Sequence, residues 1–138
     1  MSYGAAAGVG ALSALWSDAG TFTASTRPTL TVVNGWLDDV SALVDTALSD
    51  QGFTVPVTVA AVVKEIDLLV EGIVKDLCDY SHGAGRFFSE RALEAGISPF
   101  MTIDKEVHAW VNRKAVGFEN QGVPKEEIGR NVASFDLL

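Results

Sequence analysis

Residues 28–80 read PTLTVVNGWLDDVSALVDTALSDQGFTVPVTVAAVVKEIDLLVEGIVKDLCDY, and this stretch decides the fold. Pro28 fixes the backbone, Thr29 is a helix-capping residue, and apolar side chains then recur at Leu30, Val33, Leu37, Val40, Val44 and Leu48. That spacing of threes and fours is one face of an α-helix. Gly52 is the expected C-terminal stop, Pro56 separates the next element, and Thr58 is the expected cap of a second helix running to about Tyr80. On it Val59, Val62, Val63, Ile66, Leu69, Val70, Ile73, Val74 and Leu77 fall within an arc roughly 140° wide at 100° per residue. Each such side chain contributes about 1.5 to 3 kcal/mol on burial, so this is the expected core helix. Glu71 and Lys75 are spaced for an i, i+4 ion pair on its wet side.

Outward from this pair the signals weaken. Residues 1–27 are rich in Gly, Ala, Ser and Thr, with Val9, Leu12, Leu15 and Trp16 spaced for two turns of helix. SHGAG, 81–85, is a break, and RFFSERALEAG, 86–96, reads as a short helix or irregular arm closed by Gly96. Ser98 before Pro99, or Thr102, caps a last helix whose face carries Phe100, Ile103, Val107, Trp110, Val111 and Phe118 as far as Gly122. Lys114 falls inside that stripe and has to snorkel. The expected fold is all-α: a small helical bundle with two long helices, shorter flanking helices and extended N- and C-terminal arms. The boundaries are 1–27 for an N-terminal arm with a short helix, 28–122 for the helical domain and 123–138 for a C-terminal arm.

The 138 residues are 48% hydrophobic with a net charge of −8, enough apolar matter for a core and the wrong sign for gripping nucleic-acid phosphates. The acid surplus sits in residues 1–80, where three basic groups face ten acidic ones, a balance of −7; residues 81–138 have seven against eight, a balance of −1. The first basic residue is Arg27, so the N-terminus has no basic region of a secretory signal, and Lys64, Glu65, Asp67 and Glu71 break the most apolar segment. No membrane association is expected.

Chemistry-bearing patterns are missing. One cysteine, Cys78, builds neither a disulfide nor a thiolate metal site, and Asp76 and Asp79 beside it would raise its pKa. His82 and His108 have no metal-ligand spacing, and His108 reads as a surface partner of Asp104 one turn before it. Gly83-Ala84-Gly85-Arg86 lacks the strand and the glycine pattern of a phosphate cradle. The adjacent carboxylates Asp38-Asp39 and Glu126-Glu127 diverge by about 100° on a helix instead of converging on a substrate. No catalytic residue, metal or cofactor is expected, and the chain does not read as an enzyme.

The surfaces are more informative. Val32, Trp36 and Leu43 widen the apolar arc of the first long helix to about 160°, more than a three-helix domain needs for one side of its core. Leu68 lies opposite the core arc of the second, flanked by the small Ala61 and Gly72. These four large residues are the expected contact positions for a partner. The face bearing Asn34, Asp38 and Asp45 reads as acidic and unpaired.

Taken as a string, Pro28-Thr29-Leu30, Gly35-Trp36-Leu37-Asp38-Asp39-Val40-Ser41, Val44-Asp45, Ala47-Leu48 and Gly52-Phe53-Thr54-Val55-Pro56-Val57 resemble the first half of head-to-tail connector (adaptor) proteins of long-tailed bacteriophages. The shared pattern is PTLxxVxxWLDDVSAxVDxAL, a G-[FY]-T-V-P turn and a long hydrophobic helix, covering residues 28–80. The segment from Ser81 to Met101 is longer than the connection in the simplest members. The resemblance implies a virion protein of the neck, assembled in the host cytoplasm. It implies a homo-oligomeric ring of about twelve copies docked beneath the portal protein. Such a ring prolongs the DNA channel, which DNA traverses without specific binding, and offers a platform to a downstream neck or tail protein. In that frame Val32, Trp36, Leu43 and Leu68 are expected at subunit interfaces and Asp38 and Asp45 facing the channel. Val132, Phe135, Leu137 and Leu138 are expected in an arm docking on the portal or a neighbouring subunit. The alternatives are another neck component, a head-completion or tail-terminator protein, typically richer in β-structure, or a small helical dimer acting as a regulatory binding protein.

Overall fold

Thr29 has extended backbone and its hydroxyl accepts the Val32 N–H at 3.3 Å, so the capping signal in PTL does start a helix. The computed structural model describes residues 2–12, 21–89, 94–96 and 98–126. In chain order they contain α1 (Ala6–Leu12), α2 (Leu30–Asp50), α3 (Ala60–Ser81) and α4 (Pro99–Asn120), and the chain is all-α. Ser98 caps α4 by accepting the Phe100 N–H at 3.2 Å, with Pro99 at the first helical position.

Thr58 is not the cap of α3. Val59 occupies that position with no side-chain bond. The Val57 N–H is held by the Tyr3 hydroxyl at 3.0 Å, which keeps the chain extended and starts the first turn later than the sequence signal.

The helices leave through glycine. At the ends of α2 and α4, Gly52 and Gly122 adopt φ +87° and +90°, a region closed to most L-residues. This lets Phe53 N–H return to the Leu48 carbonyl at 3.0 Å and Val123 N–H to the Phe118 carbonyl at 3.1 Å, closing carbonyls that would otherwise lack donors. The two exits then meet: Phe53 and Lys125 form an antiparallel bridge, with Thr54 N–H on the Pro124 carbonyl at 2.8 Å and Glu126 N–H on the Gly52 carbonyl at 2.7 Å. Beneath it the Phe53 and Phe118 rings meet edge to face at 6.3 Å.

The core forms where the apolar periodicities converge. Val33, Leu37, Val40, Val44 and Leu48 of α2 face Val62, Ile66, Val70, Ile73, Val74 and Leu77 of α3 and Ile103, Val107, Val111 and Phe118 of α4, all buried. Val59, Val63, Leu69, Phe100 and Trp110 are half-buried against them. Leu30 departs from expectation and is exposed: on the first turn its side chain projects back past the end of the core. Lys114 reaches Glu65 at 3.1 Å, the expected snorkel.

The N-terminal segment is docked along α2 and α3. Tyr3 is buried: its N–H donates to the Ser41 hydroxyl at 2.8 Å and its phenol donates to Asp45 at 2.6 Å while accepting from Val57. Gly4 N–H donates to Asp67 at 2.7 Å and Ala5 N–H to Glu71 at 2.9 Å. A Cβ on Gly4 would lie 2.9 Å from Glu71 Cγ, and one on Gly8 would collide with the same carboxylate. Of the expected helix positions, Val9 is buried, Leu12 is exposed because it stands at the end of α1, and Leu15 and Trp16 lie outside the described residues. The expected Glu71–Lys75 pair does not form: Glu71 serves Ala5, and Lys75 turns the other way to Asp79 at 2.6 Å.

Replacing Tyr3→Phe keeps the ring but leaves the Val57 N–H without its acceptor, so stability should fall by about 1 to 3 kcal/mol. Urea unfolding, read as a lower midpoint at unchanged slope, measures it.

Candidate interaction surfaces

The acidic groups come first, since the sequence places most of the negative charge on α2 and α3. Asp38 and Asp45 are not unpaired: Asp38 accepts from the Ser2 hydroxyl and Asp45 from the Tyr3 phenol. Asp45, Asp67 and Glu71 are half-buried along the same seam. Their partners are neutral N–H and O–H groups, so hydrogen bonding leaves the charge in place. Four carboxylates thus line the N-terminal segment with no cation in contact among the described residues. Burial first, then the bond to Asp45, holds the Tyr3 phenol well above its ordinary pKa. On the rest of α2 and α3, Asp50 meets His108, Glu65 meets Lys114, and Asp76 and Asp79 meet Arg86 and Lys75. Asp39 is the one carboxylate of residues 1–80 with no partner among the described residues.

The apolar positions divide. Val32 is 41% exposed and Leu68 61% exposed, whereas Trp36 and Leu43 are half-buried against the core at the edges of the α2 arc. Leu68 borders an open groove of about 530 Å³ with Leu12, Leu69, Gly72 and Ile73 as its apolar wall. Lys75, Asp76, Arg86 and Glu106 line the rest. Arg86 organises that polar side: it donates to Asp76 at 2.5 Å and to Glu106 at 2.8 and 3.1 Å, with its guanidinium 4.2 Å from the Phe87 ring centroid. The glycine-flanked 83–86 segment therefore serves to end α3 and to cross-link it to α4. Sequence spacing gave no hint of Arg86, because Asp76 and Glu106 stand 10 and 20 residues away. The docking-arm positions Val132, Phe135, Leu137 and Leu138 lie outside the described residues.

On the solvent side of α4 stand Met101, 58% exposed, and Val116, 70% exposed. Lys105 and Arg113 share that side, exposed and without a partner among the described residues. Sequence reasoning followed the buried stripe of this helix and passed over its opposite face.

Cys78 is buried, and burial with the charge of Asp79 pushes its thiol up to about 12, which leaves it without thiolate character at neutral pH. Among the described residues no three His, Cys, Asp or Glu side chains gather as a metal would need, and no helix is long and apolar enough to cross a membrane. Comparison with known protein families, with curated proteins and with solved structures returns no match.

His108 bridges α4 to the end of α2. Its Nδ1 donates to the Asp104 carbonyl at 2.9 Å and stands 3.3 Å from the Asp104 carboxylate; its Nε2 is 3.2 Å from Asp50. The backbone bond to Asp104 raises its pKa; burial opposes this, and the bond to Asp50 and the two nearby charges add to the rise, so the net shift is upward. A raised folded-state pKa means that the protonated ring favours the fold. Its contribution is complete below about pH 6.5, the unfolded value, and disappears as pH rises through the folded value. The melting temperature of His108→Gln should therefore lie below that of the wild type at mildly acidic pH, with the gap closing in alkaline buffer. A gap that widens with pH would contradict the assignment.

Proposed function

We propose that this chain is a structural head-to-tail adaptor of a tailed bacteriophage, forming a ring beneath the portal that extends the DNA channel and receives the neck or tail. The observation that carries this reading is the ordered string from Pro28 to Tyr80: capped helix with WLDDVSA, G-F-T-V-P turn, long apolar helix. It occupies α2, the connection and α3, and an all-α fold accords with it. A head-completion or tail-terminator protein rich in β-structure accords less well.

Two physical features favour the same role. The uncompensated acids of the N-terminal seam, repeated around a ring, generate a negative collar, and repulsion of phosphates suits a conduit through which DNA has to slide. The exposed apolar Val32 and Leu68 leave surface for neighbouring subunits. Burying it in a closed ring removes apolar area from water on every copy.

Purified protein added to filled, portal-bearing capsids that lack a neck should attach at one vertex and appear there as a ring by electron microscopy. A protein that stays off the capsids and persists as a discrete dimer would instead favour the regulatory reading.

A further inference from the structure

Exposed charges of opposite sign with no partner among the described residues stand on the outer faces of α2 and α4. On α4, Met101, Lys105, Ala109, Arg113 and Val116 share an arc of about 120° and are all exposed. The acid at its far end, Glu119, is already held by Lys125 at 3.2 Å. Lys105 and Arg113 have no partner among the described residues, and at 1.5 Å per residue they stand about 12 Å apart along the helix. On α2, Val32, Gly35, Asp39 and Leu43 share an arc of about 80°. A Cβ on Gly35 would meet nothing within 4 Å, and the Asp39 carboxylate has no partner among the described residues.

The two faces are complementary in the chemistry that remains unsatisfied. One offers two cations with no partner among the described residues, set between exposed apolar side chains. The other offers a carboxylate with no partner among the described residues between Val32 and Leu43, with a glycine beside it that lets another helix come close. In a chain whose net charge is −8, copies repel unless a local match of charge opposes the general field.

We infer that the partner of the α4 face is the α2 face of a second copy, Lys105 and Arg113 of one subunit closing on Asp39 of the next over the apolar pair Val32 and Val116. Because the two surfaces differ, the contact is head to tail: each added subunit leaves one face of each kind open, so association grows past the dimer, and a rotation that closes gives the ring. The inference rests on the ring reading above and adds which helix faces meet, with α4 as the side absent from the interface positions expected from the sequence.

The test is self-association of the full chain, by native mass spectrometry and sedimentation velocity at low and at physiological ionic strength. Lys105→Glu with Arg113→Glu should weaken association at least about tenfold, as should Asp39→Lys alone, and the triple variant, which restores opposite charges, should recover it. Wild-type association should also weaken as salt screens the pairs. Unchanged helical circular dichroism and melting temperature separate these effects from unfolding. Three results overturn the inference: no association of the wild type, a symmetric dimer that grows no further, or oligomers indifferent to the reversals. A ring at the capsid vertex that survives every reversal would sink this interface and leave the adaptor reading intact. Head-to-tail oligomers that ignore capsids would do the opposite.

Discussion

The phenol of Tyr3 enters the molecule between α2 and the connection to α3, where its hydroxyl gives its proton to Asp45 and takes one from the Val57 N–H. A hydroxyl cut off from water costs free energy unless both functions are used, and here three separate parts of the chain have to be in place for that. The condition spreads outward. With Tyr3 inserted, the backbone that follows it crosses α2 and α3 at close range, so a Cβ on Gly4 or Gly8 would push the Glu71 side chain out of its place. The N–H groups of Tyr3, Gly4 and Ala5, which precede the first helical turn, are taken by Ser41, Asp67 and Glu71. A segment of low complexity by composition is thereby fastened by side chains from both long helices.

The end of the bundle where α2 and α4 finish is also closed by backbone. Phe53 and Val123 follow the glycines that terminate α2 and α4, and both point back into the core, Phe53 against Phe118. The short backbone bridge above them joins the exit of α2 to the exit of α4. The consequence is a body whose inner faces are consumed by its own core. What remains for interaction is the outside of the helices, and there charge and apolar surface are distributed unequally: acids along the N-terminal seam, cations and exposed Met101 and Val116 on α4.

That distribution changes the meaning of the acidity. Counted from composition, the surplus of residues 1–80 is a diffuse negative field. In the fold, most of those carboxylates accept hydrogen bonds that hold the structure together, while four of them have only neutral donors and so keep their full charge on one seam. The same groups thus stabilise the N-terminal segment and supply the repulsive surface that an adaptor around a DNA conduit would need.

What could be read without the fold follows the range of the forces involved. The three long helices, the cap at Thr29, one of the two cap candidates at Ser98, the stop at Gly52 and the buried face of α3 depend on residues a few positions apart, and these were legible. So were the outward-facing Val32 and Leu68. The late start of α3, the turning of Glu71 from Lys75 to Ala5, the occupation of Asp38 and Asp45 and the clamp at Arg86 were not. Each couples residues between 10 and 66 positions apart, and no local spacing encodes which distant donor arrives. Periodicity by itself determined which side of each helix turns inward. Tertiary packing decided which polar groups that inward turn would strand, and hence which charges were left free on the surface, because a buried donor or acceptor takes whatever partner the packing brings within reach.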